Sequence, residues 1–109
     1  MHKIKIPETI KIGSHRYKIM LDISKRLDDE GVYGEINHRL QRILIRKDRP
    51  DSRKREALVH EIIHCIDKVY SIDHLEEAVV GSLAEGLSQA LDELGIDFNW
   101  TGVEVNKEK

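Results

Sequence analysis

The chain has 109 residues, of which 39% are apolar, and this content is enough to fill one hydrophobic core of ordinary size. Its 18 basic and 20 acidic residues nearly cancel, to a formal net charge of −2. The overall charge therefore indicates neither a nucleic-acid partner nor a membrane partner. No run of about 18 consecutive apolar residues is present, which argues against a transmembrane helix. We predict one domain that spans residues 1–109.

The single cysteine and the first residues bear on the cellular compartment. Cys65 cannot form an internal disulfide, as expected for a protein in a reducing compartment. Residues 1–7 lack the apolar run of a secretory signal peptide. We therefore expect a soluble, cytoplasmic protein.

The first half of the chain alternates β-prone runs with turn-forming residues. Four runs are β-prone: residues 9–12, 16–21, 31–37 and 41–46. The Gly-Ser-His stretch at 13–15 interrupts the first two runs and predicts a hairpin, and the last two form a second strand pair. The polar residues 22–30 fit either a short helix or a loop.

Helical periodicity appears in the second half. A first helix is predicted to start after Asp51 or Ser52, either of which can cap its first amides, and to reach about Val69 or Tyr70. Because strands come first and helices second, the order indicates an α+β fold. We expect an antiparallel or mixed sheet of about four strands, followed by two packed helices.

A second helix is expected to follow Asp73, which can cap it, and to end at Gly95. Its packed face is predicted from apolar residues that recur at three- and four-residue steps: Val80, Leu83, Ala84, Leu87, Leu91 and Leu94. Residues 96–101, which follow it, are expected to pack back as a short strand or a cover.

The first predicted helix carries the pattern H-E-x-x-H, from His60 through Glu61 to His64. On a helix of 3.6 residues per turn, positions i and i+4 point the same way, so both imidazoles can reach one tetrahedral metal ion. Glu61 is rotated by about 100° from His60, which places it to take a proton from a water molecule rather than to bind the metal. The spacing is typical of zinc hydrolases.

Two histidines cannot close such a site, so a third ligand is required. Glu76 and Glu77 lie on or beside the apolar face of the second predicted helix, where an acid is costly unless it is paired or bound to metal. Glu76 can also serve the helix start, which favours Glu77 as the ligand. The helix dipole alone would favour an acid at either position. His74 and Asp73 remain further candidates.

Three other side chains are candidates for supporting roles. Asp67, one turn beyond His64, could orient a ligand imidazole or could form a surface salt bridge. Tyr33 and Tyr70 could donate to a developing oxyanion, although a tyrosine in a helix or strand also serves packing.

Together, four segments resemble the small phage- and bacterial-type zincin metallopeptidases, minimal gluzincins related to the ImmA/IrrE group. They are residues 31–37, 42–45, 58–67 and 76–87. The resemblance covers roughly residues 31–91. It implies a zinc cofactor and a peptide or protein substrate. In that group a glutamate seven positions before the alanine of a Phe/Leu-Ala pair tends to be the third ligand, and Glu77 stands seven before Ala84.

The resemblance also implies that an edge strand aligns an extended peptide substrate, a role for residues 43–45 or 33–36. The chain departs from larger members of the group because it lacks a clear pocket-building C-terminal domain and the Leu-Met-Pro ending after the second helix.

The expected function is that of a zinc-dependent peptidase. His60, His64 and Glu77 would hold the metal, and Glu61 would be the general base for a water that attacks a peptide carbonyl. One alternative is a non-catalytic zinc-binding regulatory module that acts through a protein partner. Another is a metal-free scaffold in which the histidines are satisfied core groups.

Overall fold

Seven strands and two helices are present in the computed structural model, which describes residues 2–24, 27, 32–71 and 74–107. In chain order they are β1 (His2–Lys5), β2 (Thr9–Ile12), β3 (His15–Asp22), β4 (Gly34–Asn37), β5 (Arg42–Arg46), α1 (Asp51–Ile66), α2 (Glu77–Glu93), β6 (Ile96–Asn99) and β7 (Val105–Asn106). A π-helical turn, Asp67–Ser71, directly follows α1. The arrangement is α+β, as predicted.

A mixed sheet supports α1. Its strand order is β2-β3-β5-β4, with β7 beside β3. The predicted hairpin of β2 and β3 is antiparallel, β3 and β5 run parallel, and β4 and β5 are antiparallel. The four predicted strands are all in this sheet and β7 adds a fifth, whereas β1 and β6 form a separate two-stranded sheet. Strand β6 confirms the short strand expected in residues 96–101. Strand β1 pairs with β6, which follows it by some 90 residues, so no local pattern marks the pair.

The three central residues of β5, 43–45, are apolar because both faces of the strand are covered. Ile43 and Ile45 are fully buried in the cluster that α1 closes with Leu58. Leu44 points the other way, into a smaller cluster with Met20. The sheet thus presents a buried apolar face against which α1 packs.

The start of α1 differs from the prediction. Pro50 occupies the N-cap position, where the backbone carbonyl accepts the N–H groups of Arg53 and Lys54. Asp51 is the first helical residue, and no side chain caps the helix. Capping by Asp51 or Ser52 was therefore wrong. The helix and the π-helical turn together reach Ser71, close to the predicted end.

Helix α2 begins later than predicted, at Glu77, and Asp73, its expected cap, lies outside the described residues. Its C-terminus agrees with the prediction. Leu94 occupies the C-cap position and Gly95 follows with φ +77°, a left-handed conformation that glycine adopts without strain.

The packed face of α2 is narrower than predicted and is built from small residues. Val80 and Ala84 are fully buried against Val59 and Ile63 of α1. Three predicted core residues are instead largely exposed: Leu83 at 45%, Leu87 at 50% and Leu94 at 72%. Two helices can approach closely only where the side chains between them are small. The smaller residues of α2 therefore face α1, and these three leucines face away from it. Within the described ranges, neither helix has the length and apolar content needed to traverse a bilayer.

Candidate metal centre

The two histidines of the motif and the first residue of α2 meet between the helices. His60 and His64 lie one turn apart on the side of α1 that faces α2, and Glu77 opens α2. The Nε2 atom of His60 is 2.6 Å from Oε1 of Glu77, and Nε2 of His64 is 2.8 Å from Oε2. The two Nε2 atoms are 3.2 Å apart. Among the described residues, these three form a group close enough to hold a metal ion.

The hydrogen-bonding capacity of an imidazole makes this convergence informative. Each Nε2 carries either one proton or one lone pair, yet in the structure each faces both a carboxylate oxygen and the other Nε2. If both nitrogens donate to Glu77, neither has a lone pair to accept a hydrogen bond across the 3.2 Å contact between them. A cation between the three side chains could bind a lone pair of each Nε2 atom and the carboxylate of Glu77 at the same time.

The spacing of the two imidazole nitrogens agrees with a tetrahedral zinc site, whereas the 2.6 and 2.8 Å distances to Glu77 are those of hydrogen bonds and would lengthen around a metal ion. With Zn–N distances of about 2.05 Å and a tetrahedral angle, two imidazole nitrogens would lie about 3.3 Å apart. The observed distance between the Nε2 atoms of His60 and His64 is 3.2 Å. The donor set of two imidazoles and one carboxylate, with room for a fourth ligand, therefore fits zinc.

Glu61 lies beside these donors but points toward the sheet. Its side chain is buried, with 8% of the residue exposed. Burial, together with the nearby carboxylates of Glu77 and Glu35, raises the pKa of Glu61 to about 7. The protein places a carboxyl group with a raised affinity for protons next to a possible metal site.

A cleft of about 210 Å³ opens onto the site. It is lined by Val32, Tyr33, Gly34, Glu56, Ala57, His60, Glu61 and Glu77. Two candidate metal ligands, the buried carboxyl group and the N-terminal end of β4 thus share one opening. A small molecule or an extended peptide in this cleft would contact all of them.

Strand β4 is the edge of the sheet beside the cleft. Within the described residues it pairs with β5 alone, whereas β5 is paired on both sides, with β3 and β4. A central strand has no free backbone groups for a peptide. Of the two segments considered as a peptide-aligning edge, residues 43–45 are therefore excluded, and β4 with the preceding Tyr33 remains.

Asp67 has neither of the roles considered for it. It is buried, with 3% exposed, so it forms no surface salt bridge. Its two carboxylate oxygens accept backbone N–H groups, Oδ1 from His74 at 3.1 Å and Oδ2 from Leu75 at 3.0 Å. Both oxygens are thus engaged with the segment before α2 rather than with an imidazole of the motif.

The other residues considered for the site differ in their distance from the cleft. Tyr33 lines the cleft, and the guanidinium of Arg49 lies 5.1 Å from its ring centroid. Tyr70 is 66% exposed and lies near Gly13, at the β2–β3 turn, apart from the described residues that line the cleft. Neither Glu76, at the N-cap of α2, nor His74 belongs to the metal-ligating group of the described residues. Asp73 lies outside them.

Sequence reasoning gave no functional role to Glu56 of the cleft and considered Gly34 only as part of the edge segment 33–36. A glycine inside a strand pattern signals a close backbone approach, and Gly34 makes one to Glu61. Glu56 precedes His60 by one helical turn, so the i,i+4 spacing could have placed it on the same face.

Comparisons with protein-family models, with curated proteins and with solved structures found no significant match. We therefore infer the function from the geometry of the site.

Proposed function

We propose that this protein is a zinc-dependent metallopeptidase, a minimal gluzincin similar to the ImmA/IrrE group, whose metal ligands are His60, His64 and Glu77. The observation that carries the proposal is the convergence of these three donors at 2.6–3.2 Å. A set of three protein ligands with an open fourth position is typical of catalytic zinc, whereas structural zinc sites are usually closed by four.

The donor types support zinc over other abundant divalent ions. Magnesium and calcium prefer oxygen ligands in larger number, and this site offers two imidazole nitrogens. Imidazole and carboxylate together suit zinc and its transition-metal neighbours. A zinc ion held here would act as a Lewis acid toward water and toward a substrate carbonyl.

Glu61 is the proposed general base. Its carboxyl group lies in the same cleft as His60 and Glu77, so it can accept a proton from a water molecule there and return it to the leaving amide nitrogen. Its burial against the sheet limits the positions that its side chain can take. A fixed carboxylate is an effective proton acceptor because little reorganisation is needed.

The edge of β4 is the proposed platform for the peptide. The amide of Arg46 donates to the carbonyl of Tyr33, so residues 33 and 46 form a hydrogen-bonded pair of the antiparallel ladder. The alternation of such a ladder directs the N–H and C=O groups of Gly34 and Ile36 away from β5. An extended peptide could pair with them beside His60 and Glu61, as in other cases of strand addition.

The test measures metal content and peptide cleavage in the same preparations. Wild type should contain near-stoichiometric zinc and cleave members of a diverse peptide library, read by mass spectrometry. Glu61→Gln should keep zinc and lose cleavage, and His64→Ala should lose both. Zinc without cleavage of any peptide by wild type would favour the regulatory zinc-binding module instead. A metal-free wild type that chelators do not affect would refute the proposal.

A further inference from the structure

The position of the third ligand depends on where α2 begins. Glu77 is the first residue of that helix, and its side chain is 72% exposed, so packing around the side chain does little to hold it. The N-cap residue, Glu76, makes no side-chain hydrogen bond to the helix. Val80 packs against α1 one turn after Glu77, and a contact on the preceding side can fix the first turn of α2 next to His60 and His64.

Asp67 provides this contact from the end of α1. Its own N–H donates to the carbonyls of His64 and Ile63, so its backbone continues directly from the helix that carries both histidines. Its carboxylate accepts the N–H groups of His74 and Leu75, which precede Glu77 by three and two residues. One residue thus joins the element with two ligands to the segment that leads to the third.

The burial of Asp67 indicates that this contact is a specific one. A carboxylate that is only 3% exposed carries a desolvation cost unless its oxygens are hydrogen-bonded, and here both accept backbone amides. The π-helical turn that starts at Asp67 is itself held close to the sheet, because Val69 packs against Gly13 with no room for a Cβ atom there. The connection between the helices is therefore anchored on both sides.

We propose that Asp67 is a positioning residue for the metal centre, which holds the start of α2 so that the carboxylate of Glu77 can bind the same metal ion as His60 and His64. The inference rests on the metal site of the proposed function, but not on peptide cleavage. Asp67 acts through Glu77 and touches no ligand imidazole. Loss of the carboxylate should let the start of α2 move and so weaken the third bond to the metal.

The test is a double-mutant cycle on zinc affinity, measured by competition with a chelator of known affinity. Asp67→Asn should weaken zinc binding by about 10- to 100-fold, the usual effect of removing a group that supports a metal ligand. In a Glu77→Gln background the same substitution should have no further effect, because the ligand that it positions is already removed. A residue that only stabilises the fold would lower affinity by the same factor in both backgrounds.

A matched control is available in the sheet. Asp22 is also 3% exposed and also accepts two hydrogen bonds, from Ser24 Oγ at 2.7 Å and from Asn106 Nδ2 at 3.0 Å. Asp22→Asn should lower thermal stability to a similar extent as Asp67→Asn but leave the zinc affinity of the folded protein unchanged. Equal losses of affinity in both variants would overturn the proposal.

A second measurement needs no change at Asp67. Coupling between the Asp67 hydrogen bonds and metal binding must be reciprocal, so zinc should slow hydrogen exchange at the amides of His74 and Leu75 in wild type but not in Glu77→Gln.

Equal zinc affinity in wild type and Asp67→Asn would refute the positioning role and leave the peptidase proposal intact. Zinc affinity that follows the cycle without any peptide cleavage would refute the peptidase and support the positioning role. Wild type that binds no zinc would refute both.

Discussion

Glu61 and Gly34 approach so closely that only a glycine fits without adjustment. A Cβ atom at Gly34 would lie 3.3 Å from Cγ of Glu61, 3.2 Å from the carbonyl oxygen of Leu44 and 3.1 Å from Cδ1 of Ile45. The absence of a side chain therefore lets β4 and α1 meet at the cleft. The edge strand and the proposed general base are held together by this contact.

Gly34→Ala should lower peptidase activity at least several-fold, because the added methyl group must displace Glu61 or shift β4. The free energy of unfolding should fall by about 1–3 kcal/mol, the usual cost of overpacking. Activity on a cleavable peptide and thermal unfolding would be measured together. Gly86→Ala, in α2, is the control: its Cβ would meet nothing within 4 Å, so it should stabilise the helix by about 0.4–1 kcal/mol with no effect on activity. Full activity in Gly34→Ala would contradict the expected contact.

Glu77 and Glu76 should differ sharply as zinc ligands, although they are neighbours in sequence. Glu77→Gln removes the carboxylate that lies 2.6 Å and 2.8 Å from the two imidazoles, so zinc affinity should fall by at least about 100-fold. Glu76→Gln should leave it within about twofold, since Glu76 lies at the N-cap outside the cluster. Isothermal titration with zinc would compare them, and a larger loss in Glu76→Gln would show that the ligand is assigned to the wrong residue.

Glu61→Gln should stabilise the metal-free protein at neutral and alkaline pH. The folded-state pKa of Glu61 is raised from 4.5 to about 7, so the buried group favours its neutral form. Its contribution to stability is fully present below pH 4.5 and is lost as pH rises through 7. The stability of Glu61→Gln relative to wild type should therefore increase by about 3 kcal/mol between pH 4 and pH 8.

Urea unfolding in the presence of a chelator, at several pH values, would measure this difference. Because the two proteins differ only at residue 61, the change of their stability difference with pH reports on Glu61. If the difference in unfolding free energy between wild type and Glu61→Gln did not change with pH, burial would not disfavour the ionised form of Glu61.

The two sides of α2 should respond differently to truncation. Val80→Ala should cost about 2 kcal/mol, because Val80 is fully buried between the helices. Leu87→Ala removes a larger group but from a residue that is 50% exposed, so it should cost less than about 0.5 kcal/mol. Chemical denaturation of both variants would test the orientation of the helix. The opposite order of losses would mean that α2 presents its leucines to α1.

The sequence by itself predicted the features that depend on local spacing. The motif at 60–64 places two imidazoles on one helix face wherever that helix lies, because the period of an α-helix is a property of the backbone. The β2–β3 hairpin and the stop of α2 at Gly95 follow in the same way from nearby residues. The preference for Glu77 over Glu76 also came from sequence, and the structure places Glu77 beside both histidines.

Only the tertiary structure decided the features that depend on distant contacts. The pairing of β1 with β6, the inward face of α2 and the edge position of β4 each require knowing which elements lie side by side. The contact that Asp67 makes before α2 could not be predicted for the same reason. Its partners are the backbone amides of His74 and Leu75, which become neighbours only when the chain turns between the helices. Side-chain spacing along a helix is local, whereas the burial and pairing of a group depend on the whole fold.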